Sequence, residues 1–262
     1  MFPSYFLEMD KRGIMEVTNE TGSSAMNLFI VSDIHGMYKQ FDKILAYWDE
    51  KSQLVILGDM IDRGAYSYEV VQRIMALQEQ HPDKVVVLKG NHEDMLMYFV
   101  DGRMKDPTPF LVNGGLEMLR SFIKELDEEA IEQNREILNS QFKKEIEFLR
   151  NARHYYQYGS LLITHAGFES SLEDWHGTTA QDFLWIRNHY LKENKTGFIN
   201  IFGHTPTRNM HEVDDIWISP CKTYIGIDGG CAYGGQLNAL LISEDGEIVE
   251  TFVVECGDKS EG

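Results

Sequence analysis

Five short, largely apolar segments recur along the chain, and each ends at glycine or a polar side chain. They occupy residues 28–31, 54–57, 85–88, 161–163 and 198–202. Runs of this length predict strands that are buried on both faces. Apolar residues at helical spacing from Tyr38 to Trp48 predict a helix after the first strand, and residues 67–79 predict another. The repeated order of strand, loop and helix predicts an α/β layered domain.

The remaining elements are predicted from weaker patterns. Between residue 116 and about residue 150, apolar positions recur at helical spacing among long charged side chains, which predicts one or two surface helices with a solvated charged face. Thr178 or Thr179 is expected to cap a short helix containing residues 183–187. Residues 224–227 predict a strand, and Asp245-Gly246 predicts a hairpin turn within residues 237–254.

These elements divide the chain into three parts. Residues 1–25 lack a clear period, and we expect them to form an N-terminal extension. Residues 26–256 are expected to form one domain with a helical insertion at about 116–150, followed by a short tail at 257–262. A chain of 262 residues, 43% of them hydrophobic, supplies a sizeable core for a single large domain.

Charge and cysteine usage narrow the choice of partners and compartment. The formal net charge of −18 argues against a nucleic acid or an anionic membrane as a partner, because both require a basic face. It does not exclude an anionic substrate, since bound divalent cations reverse the local sign of the charge. Cys221, Cys231 and Cys256 are odd in number and form no CxxC, so we expect free thiols and a cytoplasmic protein. No apolar run approaches membrane-spanning length.

The polar residues that follow the five segments are the candidate site. These residues are Asp33 and His35; Asp59, Asp62 and Arg63; Asn91 and His92; His165; and His204. Taken singly, an Asp-x-His or a histidine after a strand is more often structural than functional. Five such endings together predict side chains that converge on one edge of a sheet. Carboxylate, amide and imidazole groups without cysteine suit divalent cations such as manganese, iron or zinc.

The same residues form an ordered set of motifs that resembles the phosphoprotein phosphatase family of metallophosphoesterases. The motifs are Asp33-Ile34-His35-Gly36, Gly58-Asp59-Met60-Ile61-Asp62-Arg63-Gly64, Gly90-Asn91-His92-Glu93, His165-Ala166-Gly167 and Gly203-His204-Thr205. The resemblance extends from Asn27 to about Val254 and is to the bacterial and phage branch, which includes symmetrical diadenosine tetraphosphate hydrolases. Ser32 stands where the family often has glycine, and Gly229 follows Asp228 where the family often has threonine, but neither change removes a ligand.

The resemblance implies a fold, a cofactor and a role for each motif residue. The implied fold is of the α/β class, an α+β sandwich in which two mixed sheets pack face to face and helices flank them. The implied metal ligands are Asp33 and His35 for one cation, Asp59 for both, and Asn91, His165 and His204 for the other. Arg63 and Arg187 are expected to bind phosphoryl oxygens, and His92 is expected to act as general acid while Asp62 orients it.

The expected function is metal-dependent hydrolysis of a phosphate ester. Two divalent cations, manganese first and iron or zinc as alternatives, would activate a bridging hydroxide that attacks phosphorus. A serine/threonine protein phosphatase, of single or dual specificity, is the first expectation, and a symmetrical diadenosine tetraphosphate hydrolase is the alternative. The substrate would therefore be a phosphorylated protein, a small phosphoester or a dinucleotide. A non-catalytic interaction protein on the same fold is disfavoured, because Asp62, His92 and every expected ligand are present.

Overall fold

The computed structural model describes residues 26–257 and, in backbone only, two short strands near the N-terminus. These strands, Phe6–Met9 (β1) and Met15–Thr18 (β2), pair antiparallel within the segment predicted as an extension. The rest of the predicted extension and residues 258–262 of the predicted tail lie outside the described residues. Among the described residues, no helix is both long enough and apolar enough to cross a membrane.

The described part of the main domain contains ten strands and nine α-helices. The strands are Leu28–Val31 (β3), Gln53–Ile56 (β4), Val85–Val87 (β5), Tyr155–Tyr158 (β6), Leu161–Thr164 (β7), Ile199–Phe202 (β8), Trp217–Ile218 (β9), Tyr224–Gly226 (β10), Gln236–Ile242 (β11) and Ile248–Glu255 (β12). The helices are Tyr38–Leu45 (α1), Ser67–Gln80 (α2), Asn91–Val100 (α3), Thr108–Phe110 (α4), Leu116–Phe122 (α5), Ile131–Gln141 (α6), Lys143–Arg150 (α7), Ala180–Trp185 (α8) and Arg208–His211 (α9).

Two mixed five-stranded sheets carry the fold. The first has the order β12-β11-β3-β4-β5, in which β3, β4 and β5 run parallel and β11 is antiparallel to both β3 and β12. The second has the order β6-β7-β8-β10-β9, in which β7, β8 and β10 run parallel and the two edge strands are antiparallel to their neighbours. The predicted fold class of two mixed sheets with helices is confirmed.

The core has one layer between the sheets and another beneath the helices. Alternate residues of a strand face opposite sides of its sheet. Leu28 and Ile30 of β3 accordingly pack with Ile163 and Ile201 of the second sheet, so the two sheets lie face to face. Phe29, on the other face of β3, belongs to the cluster formed with α1 and α2. Burial on both faces explains why the strand-forming runs are continuously apolar rather than alternating.

The segment predicted as a helical insertion contains α5, α6 and α7. Leu138 and Ile146 are buried on the inner faces of α6 and α7, both of which pack on α3. The Arg135 guanidinium of α6 donates a hydrogen bond of 2.7 Å to the Phe99 carbonyl near the end of α3. Most other charged side chains of α6 and α7 are exposed or half-buried. The helices therefore cover α3, whose first turn carries two of the predicted site residues.

The prediction of three free thiols is wrong for two of them. A disulfide joins Cys231 and Cys256, whose Cα atoms lie 5.1 Å apart, which is within the range that a disulfide requires. The β11–β12 ladder pairs Gln236 with Glu255, and this register brings the two cysteines together across 25 positions of sequence. Cysteine count and spacing carry no information about that register. Cys221 is free and exposed, as predicted.

The predicted helix over residues 183–187 ends earlier than expected. Helix α8 ends at Trp185, and its N-cap is Thr179, whose hydroxyl accepts a hydrogen bond from the Asp182 backbone N–H. Ile186 has a ψ of 139°, so the chain leaves the helix before Arg187. Arg187 therefore belongs to a loop. Helix α3 and the edge strands β6 and β9 are elements that the sequence analysis did not predict.

Candidate active site

The predicted site residues meet at the carboxyl ends of the parallel strands. Asp33 and His35 follow β3, Asp59 follows β4, His165 follows β7, and His204 follows β8. All five side chains are buried. Because the strands run parallel within each sheet, their carboxyl ends reach the same edge, as the sequence pattern predicted.

Asp33 links the first sheet to the second. Both oxygens of its carboxylate accept from the backbone N–H of His204, at 3.0 and 3.2 Å, and the Ser32 hydroxyl donates to the same carboxylate. The nearest Asp33 oxygen is 4.0 Å from Nε2 of His35. Residues 171 positions apart in sequence are thus neighbours in the site.

Asp59 lies between two imidazoles. One carboxylate oxygen is 3.4 Å from Nε2 of His35, and the other is 3.4 Å from Nε2 of His165. Nε2 of His165 also lies 3.0 Å from Oδ1 of Asn91, the first residue of α3. The two oxygens of Asp59 therefore face two different groups of ligand atoms, which is the placement required of a carboxylate that bridges two cations.

Hydrogen bonds fix the orientation of the two imidazoles. Nδ1 of His35 donates to the Ile61 carbonyl at 2.9 Å, and Nδ1 of His165 donates to the Leu57 carbonyl at 2.9 Å. Each ring consequently presents the lone pair of Nε2 to Asp59. A backbone carbonyl that orients an imidazole in this way is typical of histidines that bind metals.

The described residues fit a pair of divalent cations. Ligand atoms of His35, Asp59 and His92 lie within 4.8 Å of one another, and so do those of Asp59, His165 and His204. Nε2 of His204 is buried and has no hydrogen-bond partner. An imidazole nitrogen left unpaired in the interior is costly unless a ligand satisfies it.

Burial lowers the pKa values of the imidazoles in the cluster and raises those of its carboxyl groups. Burial raises the pKa of Asp33 to about 6, and burial lowers the pKa of His165 to about 4. Burial also lowers the pKa of His35 and of His204 below the usual range. The imidazoles are therefore neutral at pH 7, with lone pairs available, and cations would offset the repulsion between buried carboxylates.

His92 and Asp62 form a buried pair beside the cluster. Nδ1 of His92 lies 2.5 Å from Oδ2 of Asp62, and the backbone N–H of Asp62 donates to the Ser67 hydroxyl at 3.0 Å. Burial lowers the pKa of His92 to about 4, so Nε2 is an acceptor, and it takes a hydrogen bond of 2.9 Å from Arg63. The pair is positioned as the resemblance implied, with Nε2 directed away from the orienting carboxylate.

Arg63 and Arg187 line the same pocket, which has a volume of about 350 Å³. The Arg63 guanidinium contacts Nε2 of both His35 and His92, and the ring of Tyr233 covers it at 4.8 Å. Arg187 donates to the Thr205 hydroxyl at 3.1 Å. A cation bound at Nε2 of His35 would compete with the guanidinium for the same lone pair, so it would direct Arg63 toward the pocket.

Glu93 lies in the site, but the sequence analysis assigned it no role. Its fully buried carboxylate accepts from four backbone N–H groups, those of Gly90 at 2.7 Å, Met60 at 2.8 Å, Asp59 at 2.9 Å and Ile61 at 3.4 Å. Glu93 thus ties the loop that carries Asp59 to the N-terminus of α3. A glutamate at the third position of a helix is a capping signal that the sequence did contain.

Other pocket residues were also not assigned from the sequence. Asp228 is buried at the pocket wall and accepts a hydrogen bond of 2.8 Å from the Gly230 N–H. The rings of Trp185 and Tyr233 are 36% and 53% exposed at the rim. The carboxamide of Asn113 is presented by the π-helical turn Leu111–Gly115. The pocket therefore combines a polar floor of arginine, carboxylate and imidazole groups with an aromatic and amide rim.

Several known proteins are similar to this chain in sequence or in fold. A family described as calcineurin-like phosphoesterase matches residues 26–239. The asymmetrical bis(5'-nucleosyl)-tetraphosphatase PrpE of Anoxybacillus flavithermus is 30% identical over 242 residues, covering 82% of this chain and 90% of the relative. A PP2A-like serine/threonine-protein phosphatase of Candida albicans is 36% identical over 66 residues, covering 24% of this chain and 16% of the relative. The structure of a serine/threonine phosphatase from Saccharomyces cerevisiae has a TM-score of 0.57 at 12% identity, covering 89% of this chain and 80% of that one.

Proposed function

Because the chain belongs to the calcineurin-like phosphoesterase family, we propose that it hydrolyses dinucleoside tetraphosphates with the help of two divalent cations. The observation that carries the choice of substrate is the extent of similarity. The match to a bis(5'-nucleosyl)-tetraphosphatase covers 90% of that relative, whereas the match to a serine/threonine phosphatase covers 16%. The name of the first relative specifies asymmetrical cleavage, and we propose the same mode for this chain.

The polar floor of the pocket would hold the phosphate chain and the cations. Arg63 and Arg187 would donate to the phosphoryl oxygens, because a guanidinium presents paired N–H groups that match an oxyanion. The proposed ligands are Asp33 and His35 for one cation, Asp59 for both, and Asn91, His165 and His204 for the other, with manganese as the proposed metal. The cations, when bound, would polarise phosphoryl oxygens and acidify a water molecule.

His92 would supply the proton that the leaving oxygen needs. Its Nε2 lies 2.9 Å from a guanidinium nitrogen of Arg63, and burial lowers the pKa of the ring to about 4. A polyphosphate placed between the two groups brings negative charge, which raises the pKa of His92 and favours a proton on Nε2. Asp62 on the opposite nitrogen holds the ring and stabilises the charged form. A positioned general acid such as His92 contributes about 10²–10⁴-fold in rate.

The rim of the pocket would receive a nucleoside. The exposed faces of Trp185 and Tyr233 offer surfaces on which a planar base can stack. The side-chain amides of Asn113 and Asn209 would hydrogen-bond to the edge of that base. A net charge of −18 would repel such an anion from most of the surface. Binding would therefore depend on the two arginines and the cations rather than on the overall field.

The test is a substrate comparison with the manganese-loaded full chain. Diadenosine tetraphosphate should give a higher kcat/KM than p-nitrophenyl phosphate or a phosphoserine peptide. Its products should be a nucleoside triphosphate and a nucleoside monophosphate, whereas two nucleoside diphosphates would show symmetrical cleavage. Chelation should abolish every activity. A clear preference for the peptide would overturn the proposed substrate and leave the metal-dependent hydrolysis standing.

A serine/threonine protein phosphatase is the second candidate. The match to the Candida albicans protein favours it, because local identity there reaches 36%. The candidates share Arg63, Arg187 and His92 and differ in what binds the leaving group. Repeating the peptide assay with manganese, iron, zinc and magnesium would show whether peptide turnover is limited by the wrong metal.

A further inference from the structure

The Cys231–Cys256 disulfide is connected to the active site through one short segment. Cys231 begins the single-turn helix Cys231–Tyr233, and the ring of Tyr233 lies 4.8 Å from the guanidinium carbon of Arg63. Arg63 is the arginine that contacts both His35 and His92. Only Ala232 thus separates the cysteine of a reducible bond from the tyrosine whose ring covers a proposed phosphate-binding group.

The backbone hydrogen bonds within this segment are local. Gly230 and Gly234, at its two ends, adopt the left-handed conformation with φ of 67° and 80°. Within the segment the N–H of Tyr233 donates to the Gly230 carbonyl, and the N–H of Gly234 donates to the Cys231 carbonyl. Both bonds are local, so they shape the turn without attaching it to a sheet.

The attachment to the first sheet lies on the disulfide side. The Cys256 N–H donates to the Gly235 carbonyl at 2.9 Å, directly beyond the pairing of Gln236 with Glu255. The disulfide adds a covalent link at this end of the β11–β12 ladder, and both cysteines are 2% exposed. Opening the bond would remove the covalent link and leave the turn that carries Tyr233 held by its chain ends, by this ladder and by the burial of Cys231 and Ala232.

We propose that the Cys231–Cys256 pair is a redox-sensitive tether that sets the position of Tyr233 over Arg63. In the disulfide form the ring packs on one face of the guanidinium and restricts its orientation, while the N–H groups of Arg63 contact Nε2 of His35 and of His92. Reduction by a dithiol adds two electrons and two protons, breaks the S–S bond to give two thiols, and converts the reductant to its own disulfide. Arg63 is then less ordered, and substrate binds more weakly. The proposal concerns regulation of the site and rests on the proposed phosphate-binding role of Arg63.

The experiment compares the oxidised and reduced manganese-loaded full chain. Thiol titration under denaturing conditions should find one thiol, that of Cys221, in the oxidised form and three in the reduced form. Reduction with a phosphine should raise KM about two- to fivefold and change kcat little, which corresponds to the loss of one exposed cation–π contact. Cys256→Ser should show the higher KM in both conditions, and Cys221→Ser should behave as the unmodified chain.

Several outcomes would overturn the tether. An unchanged KM on reduction would do so, as would a purified protein whose three thiols resist oxidation. Tyr233→Ala keeps the disulfide but lacks the ring, so a redox response of KM that persists in this variant would contradict the proposed route. A reduced enzyme that no longer folds would mark the bond as a structural link only. Measuring KM with p-nitrophenyl phosphate as well as diadenosine tetraphosphate keeps the two proposals separable, because the tether should act on either substrate.

Discussion

Replacing Glu93 by glutamine removes one of the two carboxylate oxygens that accept hydrogen bonds from the Asp59 loop and the start of α3. One oxygen of Glu93 accepts from Met60 and Ile61, and the other accepts from Gly90 and Asp59. The amide of glutamine keeps one oxygen and places an NH₂ group against the other two N–H donors. Two buried backbone donors then lose their partner, and the loop carrying Asp59 moves away from the N-terminus of α3.

Two opposing effects set the size of the change in stability. Two unsatisfied buried donors cost about 1–3 kcal/mol each. Burial, together with the Asp59 charge, raises the pKa of Glu93 to about 8, so removing the carboxylate also relieves the penalty of burying it, about 3 kcal/mol at pH 7. The net change in the unfolding free energy of the metal-free protein should therefore be small. Metal affinity and turnover should fall by about 10- to 100-fold, the usual effect of losing a partner that orients a ligand.

The measurement is a manganese titration of the refolded metal-free variant, paired with kcat/KM of the loaded enzyme and a denaturant midpoint. Asp94→Asn is the matched control, since Asp94 is the next residue on α3 and its charge interacts with Lys89 rather than with the loop. A Glu93→Gln variant that binds manganese and turns over within twofold of the unmodified chain would refute the reasoning. So would an equal loss of affinity in the control.

Three further substitutions test separate parts of the site. His92→Asn should lower the turnover of the loaded enzyme by about 10²–10⁴-fold with unchanged metal content by elemental analysis, and near-normal turnover would contradict its role as acid. Asp59→Asn should purify with less metal than the unmodified chain, because both proposed cations share its carboxylate; full metal content would contradict bridging. Gly58→Ala should lower the free energy of unfolding, measured by denaturant titration, by more than the ~1–2 kcal/mol that a positive φ alone costs. The added Cβ would overlap the backbone of Gly90. Gly197→Ala, also at positive φ but with no atom within 4 Å, isolates the conformational cost.

The parts of the fold that could be predicted from sequence are those in which side-chain chemistry repeats along the chain. Buried parallel strands produce short apolar runs, and the order of those runs predicts that Asp59 and His204 lie at one edge of the sheets. The hairpin around Asp245-Gly246 was predicted for a similar reason, because its turn requires particular residues. In each case a local pattern determines the element, and the parallel arrangement determines where its end lies.

What could not be predicted depends on contacts between distant residues. The Cys231–Cys256 disulfide follows from the register of β11 on β12, which no spacing rule reveals. The sequence shows Glu93 only as part of a motif, because the loop whose backbone N–H groups it accepts from lies about 33 residues away. The contact of Tyr233 with Arg63 depends on how a glycine-rich turn folds back. Local sequence contains none of these distances.

The backbone conformation of the site residues explains why a strand end can supply two ligands to one place. If β3 simply continued, Asp33 and His35 would share one face of the strand but lie about 6.6 Å apart along it, because the rise is about 3.3 Å per residue. Both instead have positive φ, 52° and 46°, and so do Asp59, Asp62, Arg63 and His204. Each such residue is less stable than in a right-handed conformation by about 1 kcal/mol or more. Strain concentrated in six site residues persists only where other contacts offset it, which in this fold are the backbone hydrogen bonds to Glu93 and Asp33 and, by proposal, the bound cations.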